Sequence, residues 1–167
     1  AAQSITTTVG GVLDNIGVDL WNTGAAIDDL TLSIYTAVGD VPDVLLGSIT
    51  EPIASFPFGS NTTTTIDFSG LGIFLSANTK YVLTASVVTP LLTNSQYVWG
   101  TTVDSGYAGG VPSFNRGGVG DPWEPIAAHN DFVFGVNVNP VPVPPALWLF
   151  GSGLLGLIGI SRHKKVS

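Results

Sequence analysis

Large apolar residues recur at every second position over much of this chain. In Ile16-Gly17-Val18-Asp19-Leu20, in Leu30-Thr31-Leu32-Ser33-Ile34 and in Phe132-Val133-Phe134-Gly135-Val136-Asn137-Val138 they mostly alternate with small or polar residues. Successive side chains of an extended strand point to opposite faces, so this period predicts strands buried on one side. Similar runs stand at Thr64 to Phe68, Lys80 to Val88 and Gln96 to Thr102. Turn-forming clusters separate them: Val38-Gly39-Asp40-Val41-Pro42-Asp43, Phe56-Pro57-Phe58-Gly59-Ser60-Asn61, and Asp104 to Pro125 with six Gly and three Pro. No segment before residue 141 sustains a helical period. About eight short strands joined by turns predict an all-β domain over residues 1–138, an antiparallel β-sandwich of jelly-roll-like order.

The pattern changes at the C-terminus. Residues 139–145 are a Pro-rich linker, and Ala146 to Ile160 are fifteen residues without a charge. A helix over the 17 residues from Pro145 to Ser161 would span roughly 25 Å at 1.5 Å per residue, slightly short of a ~30 Å bilayer core. Residues 146–161 therefore predict a single transmembrane helix, opened by Pro144 and Pro145 and crossing with snorkelling ends or a thinned bilayer. Trp148 suits an interface, and Arg162-His163-Lys164-Lys165, within the tail 162–167, suit the cytoplasmic side. That orientation places the body outside. Ser152, Gly156 and Gly159 fall on one helix face, where another membrane helix can approach closely; the simpler reading is that membrane helices tolerate small residues.

Charge sharpens the division. Residues 1–145 hold all twelve acidic residues and two of the five basic ones, a net −10, whereas the tail carries +3. So acidic a body is repelled by phosphate backbones, which argues against nucleic acid as a partner. The chain has no Cys, which excludes disulfides and thiolate chemistry, and no Met, while Ala1-Ala2-Gln3 suits the end left by signal-peptide removal.

Candidate chemistry in the body is sparse. His129 is the one histidine outside the tail, and no Ser sits in a nucleophile-elbow pattern, so no catalytic residue is assigned. Asp28 and Asp29, and Asp40 with Asp43, are weak candidates for Ca2+ ligation, but turn and solvation roles explain them as well. The aromatics Tyr97, Trp99, Tyr107, Phe114 and Trp123 gather in one Gly-rich stretch with Asn115, Arg116, Asp121 and Glu124 nearby. Rings beside amides and carboxylates are what a saccharide site uses, which makes Tyr107, Trp123, Asp121 and Asn115 candidate contacts. The competing reading packs Tyr97 or Trp99 into the core and uses Trp123 to pin the loop. Asn61-Thr62-Thr63 fits a glycosylation sequon, although Thr entering a strand needs no such reason.

Two resemblances join these observations. Gln3-Ser4-Ile5-Thr6-Thr7, then Leu32-Ser33-Ile34-Tyr35-Thr36 through Gly39-Asp40-Val41-Pro42 to Leu45-Leu46-Gly47-Ser48-Ile49-Thr50, resemble the domain called choice-of-anchor R. Leu75 to Leu83, Tyr97 to Thr102, Gly106 to Gly110 and Asp131 to Phe134 continue the likeness over roughly residues 3–138. That family consists of exported bacterial β-domains, and no activity comes with the name. An earlier strand is expected ahead of the Gln-Ser-x-Thr motif, missing here or supplied from elsewhere. The tail resembles PEP-CTERM sorting segments: Val141-Pro142-Val143-Pro144, an apolar helix containing Trp148-Leu149-Phe150-Gly151-Ser152-Gly153, and a basic cluster, with Val143 where Glu is usual. The resemblance implies an inner-membrane protein with its β-domain on the periplasmic side, processed near that motif by an exosortase-like enzyme and released to the surface or matrix once cut. A retained tail would instead make it a single-span subunit of a membrane complex. The expectation is a non-catalytic structural or interaction protein, with a carbohydrate-binding module as the alternative.

Overall fold

A computed structural model describes residues 1–24, 26–59, 62–87, 96–102, 107–115, 122–125 and 130–141. Among them stand twelve strands and no α-helix: β1 (Ala2–Thr7), β2 (Gly11–Val18), β3 (Leu20–Asn22), β4 (Leu30–Val38), β5 (Val41–Glu51), β6 (Thr64–Asp67), β7 (Phe74–Leu75), β8 (Thr79–Val87), β9 (Tyr97–Trp99), β10 (Pro112–Phe114), β11 (Glu124–Pro125) and β12 (Phe134–Asn139). Every ladder between these strands is antiparallel.

One sheet has the order β11-β10-β1-β8-β4-β5. A second runs β12-β2-β6, with β7 also paired to β2, and β3 pairs with β9 in a small third ladder. Leu30, Leu32, Ile34, Tyr81 and Leu83 of the first sheet share one buried cluster with Leu13, Ile16, Val18, Ile66 and Leu75 of the second. Burying each such side chain contributes about 1.5–3 kcal/mol, so the alternation along β4 and β8 is what holds the two sheets face to face.

Two departures from simple alternation have identifiable causes. Leu13 and Ile16 are three apart yet both fully buried. The ladder with β12 pairs Asn137 with Asn15 but Val138 with Leu13, so Asp14 is an extra, bulged residue that resets which side faces inward. In β8, Tyr81, Val82, Leu83 and Thr84 are all buried, so both faces of this stretch, which lies inside the sheet between β1 and β4, are shielded from solvent. The strand expected at Ile16 to Leu20 is thus two: β2 begins earlier, and the chain leaves for the third ladder at Leu20.

The β4–β5 hairpin closes through Gly39 and Asp40, between the pair Val38 and Val41. Gly39 has φ 65°, the left-handed value that a two-residue loop with glycine at its first central position requires. The Gly-rich stretch after Asp104, expected to be loop, contributes β10 and β11 to the edge of the first sheet. No described helix is long and apolar enough to cross a membrane. The predicted transmembrane segment, with Trp148, Ser152, Gly156, Gly159, Arg162, Lys164 and Lys165, lies outside the described residues, as do Pro142, Val143 and Pro144 of the motif.

Candidate functional site

The densest polar cluster is built on β1. Gln3 is fully buried; its Nε2 donates to Asp131 Oδ1 at 3.1 Å and to the Ser4 carbonyl at 3.0 Å, and its Oε1 accepts from Phe132 N–H at 3.0 Å. Asp131, also buried, accepts through Oδ2 from the Tyr107 N–H. A buried amide and carboxylate are tolerated only when bonded, and here each satisfies the other.

Ser4 sits on the other face of the same strand. Its hydroxyl accepts from Val111 N–H at 2.6 Å and donates to Asp40 Oδ1 at 2.7 Å. Lys80 Nζ lies 2.7 Å from the same oxygen. The Lys80 bond first, then the Ser4 bond, holds the Asp40 carboxyl below its ordinary value. Asp40, at the hairpin tip, thereby latches β4–β5 to β1 and β8. Asp43 accepts from Thr36 Oγ1 at 3.2 Å within the same hairpin.

Tyr107 completes the edge of β1. Its hydroxyl accepts from Thr6 N–H and donates to the Thr6 carbonyl, both at 3.0 Å, as the backbone of a neighbouring strand would. Its ring meets Phe134 edge-on, with centroids 5.3 Å apart. Thr6 Oγ1 bonds the Gly109 carbonyl at 2.6 Å, and the close seating of this loop needs glycine: a Cβ on Gly110 would stand 1.7 Å from the Ser4 carbonyl oxygen.

Of the described candidate saccharide residues, Tyr107 stands apart from Asn115 and Trp123. Asn115 and Trp123, both half-buried, follow and precede the β10–β11 ladder, whose register of Phe114 with Glu124 sets them opposite each other. Tyr107 meets β1 at Thr6, four positions from Ala2, where β10 pairs through Ser113. At ~3.3 Å per residue that is about 13 Å away. Asp121 lies outside the described residues, as does His129. Of the other aromatics, Trp99 is buried, stacked on Phe132 at 4.7 Å, with Nε1 donating to the Val133 carbonyl at 2.8 Å. Tyr97 and Phe114 pack against the same core; the core reading named Tyr97 or Trp99, and not Phe114.

Of the Ca2+ candidates, Asp28 is bonded through its backbone and Asp29 through its carboxylate. The Asp28 carbonyl accepts from the Tyr97 hydroxyl at 2.7 Å, and Asp29 Oδ1 accepts from Ile53 N–H at 3.2 Å. Burial, then the charges of Asp29 and Asp28, raise the Tyr97 phenol above its ordinary value. The described residues contain no group of three potential metal ligands.

A feature without a sequence signal is an open cleft of about 540 Å³ between β1 and β12. Residues 5–9 line one side and 134–138 the other, with Tyr107 and Pro140 also at its wall. Its β1 side is open because β10 pairs with β1 only at Ala2 and Gln3, and among the described residues no other strand pairs with that edge of β1. No family model matches this chain, and neither a curated protein nor a solved structure does.

Proposed function

We propose that this protein is an exported, non-catalytic bacterial β-domain protein, held in the inner membrane by its C-terminal segment and serving a structural or interaction role at the envelope or in extracellular matrix. The observation that carries this reading is the tail, which passes from Val141-Pro142-Val143-Pro144 through fifteen uncharged residues to Arg162-His163-Lys164-Lys165. Its junction with the body supports it. The last strand among the described residues ends at Asn139, and Val141 is 56% exposed, so a membrane-held enzyme reaches Val141 without opening the sheets. The repeated crossing of the chain between its sheets supports a jelly-roll-like order. The body's buried carboxylate and amide are committed to each other and to backbone groups, which favours a scaffold over a reaction centre.

Intact mass of the protein taken from native membranes tests the reading. A membrane-bound species of 17.3 kDa means a retained anchor, and a soluble exported species lacking the residues after about 141–145 means sorting and release. Full-mass protein recovered only from cytosol overturns the proposal.

A further inference from the structure

The cleft between β1 and β12 is bounded by successive residues, 5–9 and 134–138, and not by alternate ones. A strand that offers one side of its pleat contributes every second residue, so strand edges face this space. β12 is the terminal strand of its sheet. Asp19 N–H donates to the Val133 carbonyl, and Phe134 is in register with Val18. Residues 135 and 137 therefore bond to β2, and the N–H and C=O of Phe134 and Val136 point outward. Among the described residues no strand pairs with that edge. Phe134, Val136 and Val138 are only partly buried against the core. Across the cleft the Tyr107 hydroxyl already occupies both backbone groups of Thr6, which leaves β12 as the open edge.

The geometry points to the outer edge of β12 as the acceptor of an extended strand from a partner protein, apolar at alternate positions and neutral or basic at the others. Outward backbone donors and acceptors call for backbone, and the half-covered apolar side chains call for apolar residues at a period of two. Charge selects the partner. Among the described residues no Asp, Glu, Lys, Arg or His lines the cleft, and it belongs to a body of net −10. An acidic strand, or the edge of a second such body, is repelled, and a strand bearing Lys or Arg is drawn in.

The test uses the full chain in detergent micelles and a synthetic nine-residue peptide alternating Val and Thr, with Lys at both ends, at about 1 mM, the weak end of specific association. Hydrogen exchange of the Phe134 and Val136 amides is read by NMR. Peptide should slow both by roughly tenfold or more, and the same peptide N-methylated at alternate residues should not. Val136→Pro removes an outward N–H while sparing the 135 and 137 bonds to β2, and should abolish the protection at Phe134; the N-methylated peptide keeps the test independent of whether this variant folds. The proposal is overturned by no slowing, by equal slowing with the N-methylated peptide, or by protection without peptide. In that last case, dependence on protein concentration identifies a second copy as occupant, and independence identifies the chain itself.

Discussion

Replacing Gln3 tests whether the buried cluster on β1 holds the two ends of the body together. Gln3→Leu keeps roughly the same volume and deletes three hydrogen bonds, to Asp131, to Phe132 N–H and to the Ser4 carbonyl. All three deserted groups belong to residues at most 6% exposed, so water does not readily replace the lost partner. At about 1–3 kcal/mol for each buried group left unsatisfied, and allowing that Asp131 keeps its Tyr107 donor, the loss is about 3–5 kcal/mol. That is a large share of a typical ~5–15 kcal/mol stability. With a urea slope of about 2 kcal/mol/M, the midpoint should fall by roughly 1.5–2.5 M at unchanged slope. Gln3→Glu provides a second reading, because it sets a new carboxylate against Asp131. Its deficit relative to wild type should shrink as pH falls and one of the two takes a proton. Equilibrium urea unfolding followed by tryptophan fluorescence measures both. A Gln3→Leu variant within 0.5 kcal/mol of wild type would refute the argument, since it would mean that solvent reaches these groups.

Tyr107→Phe removes the hydroxyl that serves both backbone groups of Thr6 while keeping the ring on Phe134. Because the cleft admits water, the expected cost is about 1–2 kcal/mol, a fall in Tm of roughly 3–6 °C by calorimetry. Gly110→Ala, whose Cβ would meet the Ser4 carbonyl oxygen at 1.7 Å, should cost at least about 2 kcal/mol. Gly135→Ala has nothing within 4 Å and should stay within about 0.5 kcal/mol of wild type in the same assay. The Asp40 carboxyl is held below its ordinary 3.8. Its contribution is therefore complete above that value and lost as pH falls below it toward the lowered folded value. Asp40 and Lys80 are 31% and 38% exposed, so solvent screening limits the effect to under about 1 kcal/mol. Asp40→Asn should show this deficit at pH 7, and acid titration of both proteins should show it closing below pH 3.8.

Local pattern alone determined a good deal of this protein. Alternation marked β6, β8 and β12 within a residue or two of their ends, and β4 from its start but only as far as Ile34, four residues short of Val38, because a strand with one face on a core must repeat every two residues. The cluster Val38 to Asp43 marked a turn, which the structure narrows to the two-residue loop Gly39-Asp40. The break between an acidic body and a basic tail also lay open, since charge and length are properties of composition. Where the reading stopped short, the cause was not local. Leu13 belongs to the same strand as Ile16, but the bulge at Asp14 shifts the phase, and only pairing with β12 reveals it. Gln3 reads as an ordinary polar strand residue; its burial depends on Asp131 and Phe132, which the fold brings across the whole body. Tyr107 reads as a candidate saccharide contact in a Gly-rich stretch, yet tertiary packing commits its hydroxyl to Thr6. The cleft follows from where β10 stops covering β1. Whether an edge is paired depends on which strands become neighbours, and residue periodicity, which reports only the inward and outward faces of each strand, carries no information about that.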